Sequence, residues 1–155
     1  MAEDIEDRKD KLFERKWRGF VATSKSRGLK VPAGLKDELW IKFRDTNFCE
    51  YCSCEFDYWN TTTIPTDNSP VIDHIKSYYN GGENSIDNLL ICCWGCNRMK
   101  GAMPIEVYIE LVKTIQQSGK MIYGTTLFEA WKKFSRPSDV AKKLDRVAKE
   151  KNGGL

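Results

Sequence analysis

Two cysteine pairs are the residues of this 155-residue chain whose spacing most clearly indicates chemistry. Cys49-Glu-Tyr-Cys52 and Cys93-Trp-Gly-Cys96 are both C-x-x-C motifs, and forty residues separate them. Two residues between cysteines allow a turn that presents both sulfurs to one cation, and two such turns complete the tetrahedral set of four thiolates that Zn²⁺ prefers. Four protein ligands leave no open position for a substrate. We therefore predict a structural zinc ion, not a catalytic one.

Two further cysteines, Cys54 and Cys92, compete for places in this site. Cys54 breaks the two-residue spacing, and Cys92 cannot easily share an ion with its neighbour, so the spacing favours Cys93. The first ten residues are acidic and polar and contain no apolar stretch of the kind that a signal peptide needs, which predicts an intracellular, cytoplasmic protein. In that reducing compartment, clustered thiols are better interpreted as a metal site than as disulfides.

His74 is the only histidine of the chain and the second candidate for chemistry. A lone histidine is most often a structural residue. Here, however, it follows Asp73 at the end of a short β-branched run and precedes a Gly-Gly turn. Because it lies between the two halves of the predicted zinc site, we expect the metal to bring it close to the segment around Asn97.

The combined pattern resembles the HNH endonuclease family, the ββα-metal nucleases. Its parts are, in order, Asp73-His74, Gly81-Gly82, Asn88-Leu89 and the run Cys93-Trp-Gly-Cys-Asn97-Arg-Met-Lys100-Gly101. The resemblance covers roughly residues 45–118, and the predicted helix 104–118 resembles the one that often follows the motif in small phage-encoded members. It implies an α+β fold: a small ββα-metal core with a structural zinc ion, surrounded by α-helices at both termini.

The resemblance also implies a role for the polar residues of the motif. His74 would be the general base that deprotonates a water molecule for attack on phosphorus, a task that suits an imidazole at cellular pH. Asp73 and Asn97 would hold one divalent cation through oxygen atoms. Many relatives have a second histidine where this chain has Asn97, and the amide favours Mg²⁺ or Mn²⁺ over softer metals.

Three more residues of the motif are given supporting roles. The amide of Asn88 can both donate and accept, so we expect it to hold the loop that carries His74. Arg98 and Lys100, just beyond the predicted metal ligand, are predicted to contact DNA phosphates, with simple solvation of a helix as the alternative.

Hydrophobic periodicity predicts the elements that must position these residues. Spacings of three and four predict helices over residues 5–25, 35–44, 94–100 and 104–118, with two more between 125 and 151. Short apolar runs predict strands at 71–75 and 89–91. Two features depart from the family pattern. Ser77-Tyr78-Tyr79 stands where relatives often have proline, and the loop from 55 to 70 is long, either as an ordinary insertion or as a groove-reading element.

Basic residues are concentrated in two stretches that flank the motif. Residues 9–30 contain eight basic against two acidic side chains, and residues 132–151 contain eight against three, although the net charge is only +3. Such flanks fit contact with a polyanion, with solvated helix faces as the alternative. We predict a helical N-terminal arm (1–44), a zinc-stapled nuclease core with its following helix (45–118) and a basic helical extension (119–155).

The sequence thus predicts a divalent-metal-dependent DNA endonuclease, a phosphodiesterase that nicks one strand per active site with weak sequence specificity. The alternative is a non-catalytic zinc-stabilised module that binds nucleic acid or assists DNA packaging. DNA is the expected partner, with phage packaging proteins as a further one and the host cytoplasm as the location if a phage encodes the chain. Homing, restriction and packaging stay open as roles, as do monomer and homodimer. No apolar run approaches the ~20 residues that span a bilayer, so no membrane partner is expected.

Overall fold

The computed structural model describes residues 3–59 and 65–117. Its elements, in chain order, are helices α1 (Ile5–Ser26) and α2 (Leu35–Asp45), strands β1 (Pro70–His74) and β2 (Leu89–Cys93), and helices α3 (Trp94–Lys100) and α4 (Ile105–Gln117). Two short 3₁₀ turns, Tyr78–Asn80 and Ile86–Asn88, lie between the strands. The predicted α+β class is confirmed.

Helices α1 and α2 pack against each other through aromatic rings. Phe13 of α1 is almost fully buried, and its ring centroid lies 5.3 Å from that of Trp40 and 5.5 Å from that of Phe43, both in α2. Helix α1 ends just before Gly28, whose φ of +68° lies in the left-handed region that glycine enters without a side-chain clash. The helix predicted over residues 5–25 therefore ends one residue later than expected.

Strands β1 and β2 form a two-stranded antiparallel sheet. The register pairs Asp73 with Leu90 and His74 with Leu89, so both predicted functional residues lie at the last two positions of β1. Strand β2 is buried along its whole length, whereas β1 becomes half-buried from Ile72 onwards. Helix α3 follows β2 directly and packs on both strands. The three elements together form the predicted ββα unit.

The turn that follows β1 depends on two glycines. Gly81 has a φ of +84° and caps the first 3₁₀ turn. Gly82 donates its backbone N–H to the Ser77 carbonyl over 2.9 Å, and a β-carbon at this position would collide with the backbone carbonyl of Lys76. Any larger residue at Gly82 would therefore push the turn away from the end of β1.

One hydrophobic cluster runs through the described parts of the chain. It includes Phe13 and Leu39 from the first two helices, Leu89 and Ile91 from β2, and Tyr108 from α4. The N-terminal helices thus share their core with the zinc-bearing segment, and the division predicted after residue 44 stays a prediction. Among the described residues, no helix is both long and apolar enough to cross a bilayer.

Most element bounds agree closely with the expectations from periodicity. Strand β2 continues to Cys93, two residues further than predicted, because Cys92 and Cys93 still pair with Val71 and Pro70. The described parts of the 55–70 loop are irregular apart from a single bridge between Phe48 and Glu55. The two helices predicted between residues 125 and 151, and the whole extension 119–155, lie outside the described residues.

Candidate active site and zinc centre

The four cysteines of the two C-x-x-C motifs converge at one point. Their sulfur atoms, from Cys49, Cys52, Cys93 and Cys96, all lie within 4.8 Å of one another. The Cys52 and Cys93 sulfurs are 3.7 Å apart, close to the ~3.8 Å edge of a tetrahedron with Zn–S bonds of ~2.3 Å and much longer than a disulfide. The donor set therefore fits a tetrahedral zinc ion, and the predicted group of four cysteines is confirmed as one positioned to bind a metal.

Backbone N–H groups stabilise the sulfurs within each turn. The amides of Tyr51 and Cys52 both donate to Cys49 Sγ over 3.4 Å, and the amide of Cys96 donates to Cys93 Sγ over 3.3 Å. The neighbouring thiols, that of Cys52 first, lower the pKa of Cys49, whereas hydrogen bonds within the same group, that of Cys49 first, raise the pKa of Cys93 and of Cys96. The backbone donors stabilise a thiolate at Cys49 and at Cys93, and the thiolate is the form that binds a metal.

The two remaining cysteines lie outside the four-sulfur group. Cys92 and Cys93 are consecutive residues of β2, so their side chains leave opposite faces of the strand and only Cys93 faces the metal position. Burial raises the pKa of Cys92 well above its ordinary value, which keeps it a thiol. Cys54 is not one of the four, but its thiol hydrogen-bonds to those of Cys49, Cys52 and Cys93, and its carbonyl accepts a 2.8 Å hydrogen bond from the Cys49 amide that closes the first turn.

Asp73 is held by one of its two carboxylate oxygens. The Tyr51 hydroxyl donates to Oδ2 over 3.0 Å, and the Lys100 ammonium lies 3.3 Å from the same atom. Burial raises the pKa of the Asp73 carboxyl above its ordinary value, although the Lys100 charge and the Tyr51 hydroxyl act in the opposite direction. Among the described residues nothing hydrogen-bonds to Oδ1. The second oxygen is therefore available to a cation.

His74 is held by one of its two ring nitrogens. Its Nε2 lies 2.7 Å from Oδ1 of Asn84, and its ring stacks on Phe20 of α1 with a centroid distance of 5.8 Å. Among the described residues Nδ1 has no hydrogen-bond partner. The His74 residue as a whole is half-buried.

Asn97 belongs to α3, the helix whose Lys100 contacts β1. It precedes Lys100 by three residues, a spacing that places both side chains on one face of a helix. Lys100 contacts both functional residues of β1, because its ammonium donates to the His74 carbonyl over 2.9 Å and lies beside Asp73. The half-buried amide of Asn97 makes no side-chain hydrogen bond within the described residues.

Asn88 makes the contacts that its predicted support role requires. Its Oδ1 accepts from the Lys76 amide over 2.8 Å, and its Nδ2 donates to the carbonyls of Lys76 and Glu83 over 3.1 and 2.9 Å. The backbone carbonyl of Asn88 also accepts from Ile75, the residue directly after His74, over 2.9 Å. One side chain thus closes both ends of the turn between the strands.

Arg98 and Lys100, the two predicted DNA contacts, lie in different surroundings. The Arg98 guanidinium stacks over the Trp94 ring at 4.3 Å and stays partly exposed. Lys100 is 2% exposed, and its ammonium is directed into the protein. Contact with phosphate stays a prediction for both residues, and for Lys100 it would require the ammonium to leave its present partners.

The turn from Cys49 to Cys52 is connected to Asp73 and to β2 by the two residues that lie between these cysteines. Tyr51 reaches Asp73, as described above, and Glu50 accepts from the Ile91 amide with its side chain over 2.6 Å. The Glu50 amide in turn donates to the Ile91 carbonyl over 3.1 Å. The turn is therefore fixed to β2, and through Tyr51 it also helps to place Asp73.

Sequence reasoning missed three residues that contact the predicted site: Tyr51, Phe20 and Asn84. The position of Tyr51 between Cys49 and Cys52 could have shown that it lies beside the metal site. Nothing in the sequence indicated that its hydroxyl would reach Asp73. Phe20 could be assigned only to the apolar face of α1. Asn84 is one polar residue in a polar loop, and no signal in the sequence distinguishes it.

The two antiparallel strands, the following helix and the four-sulfur set define a ββα unit with a four-cysteine site that suits zinc. Residues 49–103 match the family model described as HNH endonuclease. The matched segment begins at the first zinc cysteine and ends just after α3, so it contains Asp73, His74 and Asn97. No curated protein and no solved structure matches the chain significantly. The segment is therefore an HNH domain, as the sequence predicts, and the match supports a nuclease-type function.

Proposed function

We propose that the protein is a divalent-metal-dependent endonuclease that hydrolyses phosphodiester bonds in DNA. The observation that carries this proposal is the way in which Asp73 and His74 are held at the end of β1. Each side chain is fixed by one polar atom and keeps a second polar atom without a partner among the described residues. Fixed groups with one open atom suit a site that binds and activates a third component.

In this proposal His74 acts as the general base. The ring takes a proton from a water molecule, and the water oxygen attacks phosphorus while the bond from phosphorus to the 3′ oxygen breaks. The leaving oxygen then gains a proton from solvent, and the imidazolium returns its proton to solvent. The Phe20 ring and Asn84 restrict the imidazole to one plane, which lowers the entropy cost of reaching the reactive geometry.

Asp73 and Asn97 are the residues that would hold the catalytic cation. A carboxylate oxygen and an amide oxygen form a donor set that suits a hard ion such as Mg²⁺ or Mn²⁺, which usually keeps several waters. When bound, such an ion stabilises the charge that develops on the phosphate and on the leaving oxygen. Before binding, the buried Lys100 ammonium compensates the Asp73 charge. We therefore assign Lys100 to the support of Asp73 and not to contact with DNA.

The basic face of α1 supports DNA as the substrate. Arg8, Lys11, Arg15 and Arg18 follow one another at helical spacing and line a shallow cavity of about 170 Å³. Glu3 pairs with Arg8 and Lys11, whereas no ion pair within the described residues involves Arg15 or Arg18. Guanidinium groups of this kind contact backbone phosphates, which carry no sequence information, so we propose weak sequence specificity.

The test is cleavage of supercoiled plasmid by the zinc-loaded protein with and without added Mg²⁺ or Mn²⁺. One site that cuts one strand should give nicked circles before linear product appears. His74→Ala should lower the rate by about 10²- to 10⁴-fold, the usual contribution of a general base, while zinc content and the thermal unfolding midpoint stay near those of the wild type. A folded His74→Ala protein that cuts at the wild-type rate would exclude the mechanism.

A non-catalytic zinc module is the competing function, and the same samples distinguish it. Such a module would retard the plasmid in a gel and leave it supercoiled with every metal. The basic face of α1 would support binding in both cases, so cleavage is the measurement that separates the two functions.

A further inference from the structure

One buried amide next to the proposed base has no part in the predicted site. Asn84 is 4% exposed and lies between β1, helix α1 and the segment that follows α1. Its Nδ2 donates to the Ser24 hydroxyl and to the Lys30 carbonyl, each over 2.9 Å, and its Oδ1 lies 2.7 Å from His74 Nε2. Both polar atoms of the side chain are therefore in use, and neither faces solvent.

The surroundings of Asn84 determine which way its amide is turned. The Lys30 carbonyl can only accept a hydrogen bond, so the atom that faces it must be the NH₂ group. The amide oxygen is then left to face His74, and an amide oxygen can only accept. It follows that the hydrogen in the short contact belongs to Nε2 of the imidazole. In the neutral ring, Nδ1 consequently carries the lone pair.

We infer that Asn84 is a positioning residue that holds His74 in the tautomer with hydrogen on Nε2 and keeps Nδ1 free as the proton acceptor. The inference rests on the proposed function for its catalytic consequence, but the tautomer itself is a property of the folded protein. If the ring took the other tautomer, Nδ1 would already carry a hydrogen, and it could not accept a proton from water.

The same contacts make α1 part of the site, although α1 lies outside the HNH match at residues 49–103. Ser24 holds the Asn84 amide from one side, and Phe20 of the same helix stacks on the His74 ring with an interplanar angle of 18°. The helix thus fixes the plane of the imidazole directly and its tautomer through Asn84.

The direct test is nitrogen NMR of the imidazole in the zinc-loaded, tag-free full chain. Because the chain has one histidine, its two ring nitrogens can be assigned without ambiguity. At alkaline pH, where the ring is neutral, we expect the signature of a protonated Nε2 and an unprotonated Nδ1. A spectrum with hydrogen on Nδ1, or with an even mixture of the two tautomers, would overturn the inference without any variant being made.

Two substitutions test the catalytic consequence. Asn84→Ala removes the acceptor, so we expect the ring to sample both tautomers and kcat to fall by about 100-fold, the size of effect that misplacement of a catalytic group produces, while KM stays within about threefold. Asn84→Asp keeps an acceptor for the Nε2 hydrogen, but its second oxygen then faces the Lys30 carbonyl without a donor. We therefore expect a kcat clearly above that of Asn84→Ala together with a lower thermal unfolding midpoint than that of the wild type. Ser26→Ala is the matched control, because this exposed hydroxyl of α1 contacts only the Thr23 carbonyl.

The outcomes separate this inference from the proposed function. A wild-type protein that shows hydrogen on Nε2 but never cuts DNA would end the nuclease proposal and leave the tautomer assignment standing. A protein that cuts normally while folded Asn84→Ala keeps the wild-type kcat would end the inference alone. If Asn84→Ala loses its zinc or its fold, the wild-type spectrum and the Asn84→Asp protein decide.

Discussion

The four-cysteine zinc centre is connected through Tyr51 to the proposed catalytic corner, formed by Asp73 and His74 at the end of β1. The two sites differ in whether their polar atoms already have partners. At the zinc centre, four buried sulfurs face one another and leave no position for an outside ligand. At the corner, Asp73 and His74 are each held by one atom and offer another. A closed set of four metal ligands stabilises a small fold. Catalysis instead requires polar atoms that the fold holds in position but leaves without a partner.

The comparison predicts that removal of a zinc ligand has the largest effect of any substitution. Cys93→Ser should abolish stoichiometric zinc and the cooperative fold, because structural zinc contributes about 10–16 kcal/mol in small zinc domains and a whole domain is stable by only about 5–15 kcal/mol. Metal analysis and circular dichroism measure both. Cys92→Ser is the matched control on the adjacent residue, and it should keep one zinc per chain. Equal zinc loss in both variants would contradict the ligand assignment.

Removal of Asn97, a predicted ligand of the catalytic cation, should lower activity and leave stability almost unchanged. The Asn97 amide has no side-chain hydrogen bond within the described residues, so Asn97→Ala should leave the thermal unfolding midpoint almost unchanged. We expect the Mg²⁺ concentration for half-maximal cleavage to rise by about 10- to 100-fold, at least the effect seen when a partner of a metal ligand is lost. A large fall in stability with an unchanged metal requirement would assign Asn97 to the structure instead.

A third change tests the connection between the two regions. Tyr51→Phe removes only the hydroxyl that donates to Asp73 Oδ2. One hydrogen bond to a charged group contributes about 1.5–3 kcal/mol, so cleavage should fall by roughly tenfold or more while the zinc content stays at one per chain. Full activity in Tyr51→Phe would show that Lys100 alone is sufficient to hold the carboxylate.

The smallest effect is expected on the basic face of α1, which holds neither predicted metal ligands nor the proposed base. Arg15→Ala with Arg18→Ala should weaken DNA binding by several-fold and lower the slope of log affinity against log salt by about 1 to 2, because each lost phosphate contact removes about 0.9 from the slope. Lys113→Ala on the exposed face of α4 is the matched control. An identical slope in wild type and the double variant would exclude α1 from the DNA interface.

The same contrast explains which features could be predicted from the sequence. Helix bounds and each C-x-x-C turn depend on residues close together in the chain, and the expected ends of α1 and α2 are each one residue from those observed. The contacts of the corner join residues far apart: Tyr51 and Asp73 are separated by 22 positions, and Ser24 and Asn84 by 60. No periodicity or spacing records such pairs.

Lys100 is a residue whose role could not be predicted from the sequence. A lysine near the end of a short helix, close to an arginine, is most often solvated, and a role at the DNA surface follows naturally from the sequence. The structure buries it because the Asp73 carboxylate and the His74 carbonyl together satisfy its ammonium. That compensation depends on how α3 is placed against β1, which is decided by packing and not by any local preference.

The hydrogen bond from the Tyr51 hydroxyl to the Asp73 carboxylate affects how the metal requirement of the protein can be assayed. In the proposed function, the tyrosine belongs to the turn that holds the zinc ion, so a chelator or an oxidant of thiols would displace the carboxylate even when magnesium is abundant. Inhibition by EDTA would therefore not identify the ion at the cutting site. In a cell, the same dependence would make DNA cleavage responsive to zinc supply and to oxidative stress.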